Sequence, residues 1–365
     1  SATFVASKQP ENKQVIKIPL SEAKRLVLSQ QKLISLPEVK GKKAALAVIE
    51  HLGYLQIDTL NVIARAHHHS LWSRLPDYKE PFLNELLEKD KTIFEYWSHA
   101  ASYLPMTDFR FSLPRKKQYA DGKSHWFAQD KKMNKYVLDR IKSEGPLQSK
   151  DFEFKRDVSG NWYNWKPAKQ ALEQLFMEGK LMVAKRHNFQ KVYDLAERII
   201  PSTVDITFPN KNEYVNYLIK KSIQANGIAT EAEIAYLRNG LKETIAKEVK
   251  KMLKNGELIK VGIETLKETY LTTANQLNSL DILNKLKSQE RYAAKMHLLS
   301  PFDNLIIQRK RLNTLFHFDY TLECYLPEAK RKFGYWCIPI LYNNEFVGRF
   351  DTNADRAEGT YYIKS

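Results

Sequence analysis

The spacing of apolar positions predicts a helical unit that recurs along the chain. Leu20-Ser21-Glu22-Ala23-Lys24-Arg25-Leu26-Val27-Leu28, following Pro19, predicts a helix with Ser21 as its N-cap. Ala45, Val48, Ile49 and Leu52 fall on one face of a second helix over Lys42 to Leu52, and Gly53 stops it. Leu55-Gln56-Ile57-Asp58 then reads as extended. Helix, helix, strand and a basic segment is the order of a winged helix-turn-helix unit. Between Pro81 and Tyr119 the pattern is mixed: Phe82 to Leu87 is helical and Glu95 to Pro105 is aromatic. Arg110 to Lys132 is polar and basic, as a linker would be.

From Met133 the pattern restarts. Asn134 to Ser143 is a helix, Gly145-Pro146-Leu147 a turn, and Ser149 the cap of a short helix running to Phe152. Ala168, Ala171, Leu172, Leu175 and Phe176 line one face of a helix over Pro167 to Glu178, which Gly179 ends. Leu181 to Ala184 is a strand, Lys185 to Lys191 a basic hairpin, and Val192 to Leu195 the return strand. Asn212 to Val261 repeats the order, with helices at Glu213 to Asn226, Glu231 to Leu237 and Lys242 to Asn255, and a wing opening at Leu258. Thr230 and Glu233 are spaced for a capping box. Glu178-Gly179-Lys180-Leu181 and Asn255-Gly256-Glu257-Leu258 occupy equivalent places in the two units, as an internal repeat requires. From Leu298 the pattern turns to β: Phe318 to Tyr325, Tyr335 to Tyr342, a turn at Asn343-Asn344, Glu345 to Phe350, and Thr360 to Ile363.

The predicted fold is α+β: three tandem winged helix-turn-helix domains followed by a C-terminal β-barrel or small β-sheet domain. The expected divisions are a flexible N-terminus over 1–18, then 19–130, 131–205 and 206–272 for the winged helices, and 273–365 for the C-terminal domain.

Charge adds a partner to this picture. The 365 residues carry 58 Lys+Arg against 42 Asp+Glu, a formal charge of +16 and a pI near 9.5. A surplus of that size favours a polyanion, and tandem winged helices point to DNA rather than to a membrane. Hydrophobic residues make up 43% of the chain, enough for packed cores and too many for a disordered basic tail. Cys324 and Cys337 alone make neither a disulfide framework nor a CxxC zinc site, so a reducing cytoplasm, close to the nucleoid, is the expected compartment. No apolar run approaches the ~18 residues of a membrane span. Ser1 to Lys17 lacks a signal-peptide core. Neither a glycine-rich phosphate loop nor a GxSxG elbow occurs.

Several side chains then become candidates, each with a bland reading beside it. Lys185, Arg186, His187 and Lys191 on the second wing are placed for phosphates, or are solvated hairpin charges. Trp162-Tyr163-Asn164-Trp165 could stack bases or pack at a helix mouth, with Lys166 and Lys169 beside them in reach of phosphates. His67-His68-His69 resembles a metal cluster, but adjacent residues seldom converge on one ion; a DNA-facing or hydrogen-bonding role is favoured and no metal is expected. His99 beside Trp97 reads as a satisfied, half-buried histidine. If the stretch from Leu55 is extended, Gln56 and Asp58 share a face and Ile57 points to the core. Asp58 could equally cap the turn Thr59-Leu60-Asn61.

The order of these words resembles the YcaQ-like DNA glycosylases, relatives of AlkZ. The resemblance rests on Gln56-Ile57-Asp58 with Asn61-Val62-Ile63-Ala64-Arg65-Ala66-His67, on Gly145-Pro146-Leu147 running to Asp151-Phe152, and on Trp162 with Trp165-Lys166-Pro167. Ala171 to Phe176, Gly179 to Ala184 and Phe189 to Leu195 carry it on. Leu299-Ser300-Pro301-Phe302-Asp303-Asn304-Leu305, Tyr325-Leu326-Pro327 and Lys330 to Tyr335 complete it, from roughly Leu20 to Arg356. It implies tandem winged helices and a β-barrel in a C shape around DNA. It implies excision of N7-alkylated purines and unhooking of interstrand crosslinks by hydrolysis of the N-glycosidic bond. It assigns catalysis to Gln56 and Asp58, on the Gln-x-Asp rather than the Gln-x-Gln side of the family. The expected partner is double-stranded DNA bound by a monomer without cofactor, with Arg65, His67, His68, Arg74, Gln190, Lys330 and Arg331 joining the basic residues above at the DNA.

The chemistry fits those residue types. An N7-alkylated purine is cationic and already a good leaving group. A carboxylate can oppose the charge of an oxocarbenium-like sugar and accept a proton from water, while an amide holds that water. Two other readings compete: a non-catalytic DNA-binding regulator, which has no use for a carboxylate facing DNA, and a protein-docking scaffold, for which the charge is surplus.

Overall fold

The computed structural model describes residues 15–34, 39–122, 129–152, 165–238, 240–287 and 296–364. Among them the fold is mixed α+β, with three small three-stranded sheets and a four-stranded C-terminal sheet. One order of elements recurs: a helix, a short strand or bridge, two helical segments, then a hairpin. It runs first through helices Gly41–Leu52, Ala66–Trp72 and Glu80–Glu88, with strand Leu55–Gln56 and the hairpin Ile93–Trp97/Ala101–Pro105. It returns with helices Lys131–Glu144 and Trp165–Met177 around the 3₁₀ turn Ser149–Phe152, strand Leu147–Gln148, and the hairpin Leu181–His187/Gln190–Leu195. The third passage uses Lys211–Asn226, Glu231–Ile234 and Lys242–Lys254, a bridge between Ala229 and Leu271, and the hairpin Ile259–Ile263/Thr269–Thr272.

Local signals act where the sequence predicts them. Gly53 adopts φ +80°, and its N–H closes on Ile49 O at 2.8 Å, so the turn into the Gln56 strand needs a glycine. Thr230 and Glu233 form the reciprocal capping box. Ala45, Val48, Ile49 and Leu52 are buried as their spacing requires.

Other expectations are corrected. Ser21 caps nothing: the chain leaves the strand Ile16–Ile18 extended through Pro19, and the Glu22 and Ala23 N–H groups already close on Pro19 O at 3.1 Å. That strand runs parallel to Val261–Ile263, so residues 16–18 are paired rather than a loose lead-in. Helix Leu20–Gln30 is not the first helix of the first recurring unit. It buries Ala23, Leu26, Val27 and Leu28 in a second core with Ile228, Leu312 and Leu315. The basic stretch after Arg110 is not a linker up to Ala120, because Leu113–Ala120 is a helix with Lys116 buried against Phe94, Tyr96 and Phe109. The Ser149 hydroxyl makes no cap; Asp151 takes the Gln148 N–H instead. Phe318 to Tyr325 forms no strand. Its alternation reflects burial without pairing: Phe318 stacks on Phe346, and Tyr320 donates to Cys337 O at 2.7 Å. A helix, Arg309–Phe316, stands inside the region read as β.

The C-terminal strands Met296–Leu298, Cys337–Tyr342, Glu345–Asp355 and Thr360–Ile363 pair in that order, all antiparallel. Buried contacts tie this sheet to the first unit. Arg74 puts both terminal nitrogens on Asp303, at 2.6 and 2.9 Å, with both side chains fully buried, and Asn304 donates to Tyr54 O at 3.0 Å.

Candidate active site

Gln56 is the last residue of its strand, paired with Ser102, and the Ile57 N–H extends the ladder to Ala101 O at 2.8 Å. Ile57 is buried in the first core. Pairing stops there, and Asp58 begins a turn in which its Oδ1 accepts the Leu60 N–H at 2.7 Å. Asp58 thus caps its turn, lies half-buried two residues along the chain from Gln56, and keeps acceptor capacity on its carboxylate. Burial raises the Asp58 pKa; the Leu60 N–H and Arg65 only partly offset it. The result is a more basic carboxylate than an exposed one.

Gln56 is 7% exposed. His99, from the loop of the adjoining hairpin, donates Nε2–H to its Oε1 at 2.9 Å. Burial, with Arg238 nearby, lowers the His99 pKa to about 4, so the ring is neutral at ordinary pH. It also packs edge-on against Tyr54 at 5.0 Å. The bond from His99 fixes which end of the Gln56 amide is the carbonyl and leaves its NH₂ to donate to a further partner. His99 also lines a cavity of about 650 Å³ together with Trp97, Arg115, Tyr214 and Arg238.

Three ties hold the turn after Asp58. Arg65 Nη1 donates back to Thr59 O at 2.8 Å. Its guanidinium lies 3.6 Å over the ring of Phe189, at the tip of the Leu181–His187/Gln190–Leu195 hairpin, where Asn188 and Phe189 both have positive φ. Arg356 Nη2 donates to Asn61 O at 2.9 Å and to Ile63 O at 2.7 Å. Cys324 and Tyr325 lie within the field of Asp58: after burial, its charge is the next largest influence raising each pKa.

The other expected contacts divide by burial. Arg74 is removed from DNA by its buried pair with Asp303. Arg186 is bidentate to Glu95 at 2.6 and 2.7 Å and nearly buried, so it fixes the hairpin to the first sheet rather than reaching a phosphate. His67 is 1% exposed, stacked with Phe189, and His68 pairs with Tyr78 Oη at 2.7 Å. His69 Nε2 meets Leu298 O at 2.8 Å, so the three histidines serve three different neighbours. Lys191 sits half-buried over Phe176, 3.6 Å from Glu173. Lys169, Lys185, His187, Gln190 and Lys330 are exposed, and Arg331 is half-buried against Leu326 O. Trp162, Tyr163 and Asn164 lie outside the described residues, as do the side chains of Trp165 and Lys166. Sequence reasoning missed His99 as the partner of Gln56, and it missed Arg356 and Phe189. The hairpin register and the contacts of distant segments place them, and no local word announces either.

The family model described as DNA glycosylase AlkZ-like matches residues 49–365. Among solved structures, the Streptomyces sahachiroi DNA glycosylase AlkZ is similar in fold, with a TM-score of 0.59 at 15% identity over 92% of this chain and 88% of that one. No helix among the described residues is long and apolar enough to cross a membrane.

Proposed function

The chain belongs to the family of AlkZ-like DNA glycosylases, a DNA N-glycosylase for DNA repair, and on that premise we propose its substrate and its catalytic pair. The substrate is double-stranded DNA carrying N7-alkylated purines, including purines joined in an interstrand crosslink. Asp58 and Gln56 act together, and hydrolysis is monofunctional.

The observation that carries this reading is the asymmetry of the pair. A neutral His99 holds the Gln56 carbonyl and so orients the amide, with the NH₂ as its donor end. Asp58, its basicity raised by burial, is committed to accepting. A water between them would donate one proton to Asp58 and receive a hydrogen bond from Gln56, leaving a lone pair directed at the anomeric carbon. As the bond to the cationic purine lengthens, the base leaves neutral and positive charge builds on the sugar. The Asp58 carboxylate opposes that charge, then takes the proton as water adds. The departing base needs little protonation, in keeping with the absence of an acid from the pair.

The three recurring helix–hairpin units are read as winged helix-turn-helix modules on the DNA. Lys169, Lys185, His187, Gln190, Lys330 and Arg331 would contact the backbone, so binding should weaken steeply with salt. Incubation with a duplex containing 7-methylguanine tests the reading. Heat or alkali should reveal abasic sites with intact strands before treatment. Strand breaks without treatment would indicate lyase chemistry, and release of no base would remove the proposed substrate.

A further inference from the structure

The loop between Glu323 and Trp336 has no role in the hydrolysis above, yet it carries three exposed aromatic rings and an exposed leucine. Tyr325 is 70% exposed, Phe333 40%, Leu326 38% and Tyr335 37%. Contiguous exposed apolar groups rimmed by charge mark contact surfaces, and Lys330, Arg331 and Lys332 supply a cationic rim here. A polyanion with apolar faces, such as stacked nucleobases, complements both features.

The loop is also held rigid. The Glu323 carboxylate accepts the N–H groups of Phe333 at 2.8 Å and Gly334 at 3.2 Å. Arg331 Nε donates to Leu326 O at 2.9 Å, and Arg349 lies 4.3 Å over the Phe333 ring. Gly334 has φ +136°, and a Cβ there would collide with the Asp351 side chain. Asp351 in turn accepts the Trp336 N–H at 2.8 Å. Arg356, just past the end of the Asp351 strand, grips Asn61 and Ile63. The aromatic loop and the turn that begins at Asp58 are thus mounted on one piece of sheet. Such ordering would be wasted on a solvated loop, but it suits a probe that must resist a stacked duplex.

We propose that Tyr325 enters the duplex beside the damaged nucleotide and stacks on the base exposed there, holding the helix open while hydrolysis proceeds. The proposal rests on Asp58 being the catalytic carboxylate. Separating a base from its neighbour costs stacking, and an inserted ring recovers part of it. Every base has a π-face, so the contact tolerates any flanking sequence, as damage recognition requires.

The test separates the wedge from the chemistry. A duplex with 2-aminopurine next to a non-cleavable abasic analogue is bound by Asp58→Asn, then by Asp58→Asn combined with Tyr325→Ala. The fluorescence should depart from that of the free duplex with the first protein and stay near it with the second; Tyr325→Phe should restore the change. In the otherwise native protein, Tyr325→Ala should slow single-turnover excision about 5- to 150-fold, the range of one lost stacking contact, with no change in the salt dependence of binding. Thermal melts of each variant check folding, and Phe333→Ala provides a second, milder opening of the same surface. Unchanged fluorescence and excision in Tyr325→Ala would overturn the wedge, as would a loss confined to the salt slope. If Asp58→Asn kept full excision, the catalytic reading would fall while the fluorescence arm still judged Tyr325.

Discussion

Asp58→Asn isolates one charge. The Asn side chain keeps the shape, and its Oδ1 can still accept the Leu60 N–H that the carboxylate accepts at 2.7 Å. The turn, the strand end and Gln56 should therefore remain in place. What disappears is the negative charge that, on the proposed mechanism, faces the sugar. A unit pair about 4 Å apart at an effective dielectric of about 20 is worth roughly 4 kcal/mol. Deleting one preorganised electrostatic group from an active site typically costs ~2.7–4 kcal/mol, a factor of about 10² to 10³ in rate. The two routes agree, and the partial burial that raises the Asp58 pKa supports the lower dielectric. Single-turnover release of 7-methylguanine should fall by that factor, with DNA affinity and its salt dependence retained. The native enzyme should also lose activity on acidification as Asp58 takes a proton, at a pH above the ordinary aspartate range because its pKa is raised. A loss below about threefold, under roughly 0.7 kcal/mol, would mean that the charge is not used in the transition state.

His99→Ala should free the Gln56 carbonyl and lower kcat by about 3- to 10-fold with KM little changed, the value of one net hydrogen bond; an unchanged kcat would show that Gln56 needs no such anchor. Asp303→Ala leaves Arg74 buried and uncompensated, so urea denaturation should report a loss of about 3–5 kcal/mol, and a loss under about 1 kcal/mol would contradict the buried pair. Stability should also fall on acidification. His51, His68 and His99 are held neutral in the fold, with pKa lowered by burial to about 4 against 6.5 when unfolded. Between those values the unfolded chain binds more protons, so each histidine removes up to about 2 kcal/mol as pH drops from about 7 to 5. Equal melting temperatures at the two pH values would refute that.

Legibility in the sequence followed the range of the interaction responsible. Gly53, the Ala45–Leu52 face and the Thr230–Glu233 box act within one turn of chain, and each behaves as its spacing predicts. The Gln56 strand was also legible, though it is two residues long and Asp58 lies beyond it. Charged residues were the weakest readings. Lysines and arginines look alike in sequence, and only burial in the fold divides Arg74 and Arg186, each paired with a buried carboxylate, from Lys185, whose pair with Glu88 at 3.5 Å is exposed. The Phe318–Tyr325 alternation misled because aromatic burial imitates the period of a strand. His99 was read as satisfied, which is correct; that its partner is Gln56 follows from the hairpin register and from nothing local.

That division also bears on how the site works. The segment after Asp58 is short and in neither helix nor strand, and left alone it would sample many conformations. Its ties come from far along the chain: Phe189 under Arg65, and Arg356 across Asn61 to Ile63. Arg186 adds to this by pinning the Phe189 hairpin to Glu95, and its guanidinium lies 4.2 Å over the same ring. Cationic side chains that look like DNA contacts in the sequence, Arg65 and Arg186, are thus engaged in fixing the turn that we propose carries the catalytic carboxylate. Electrostatic catalysis depends on groups that need not reorganise as charge develops, so on the proposed role of Asp58 the cost of fixing it would be met during folding rather than in each turnover. On that role, the second hairpin and the C-terminal sheet would act on the chemistry through the rigidity of a turn they contact through Phe189 and Arg356.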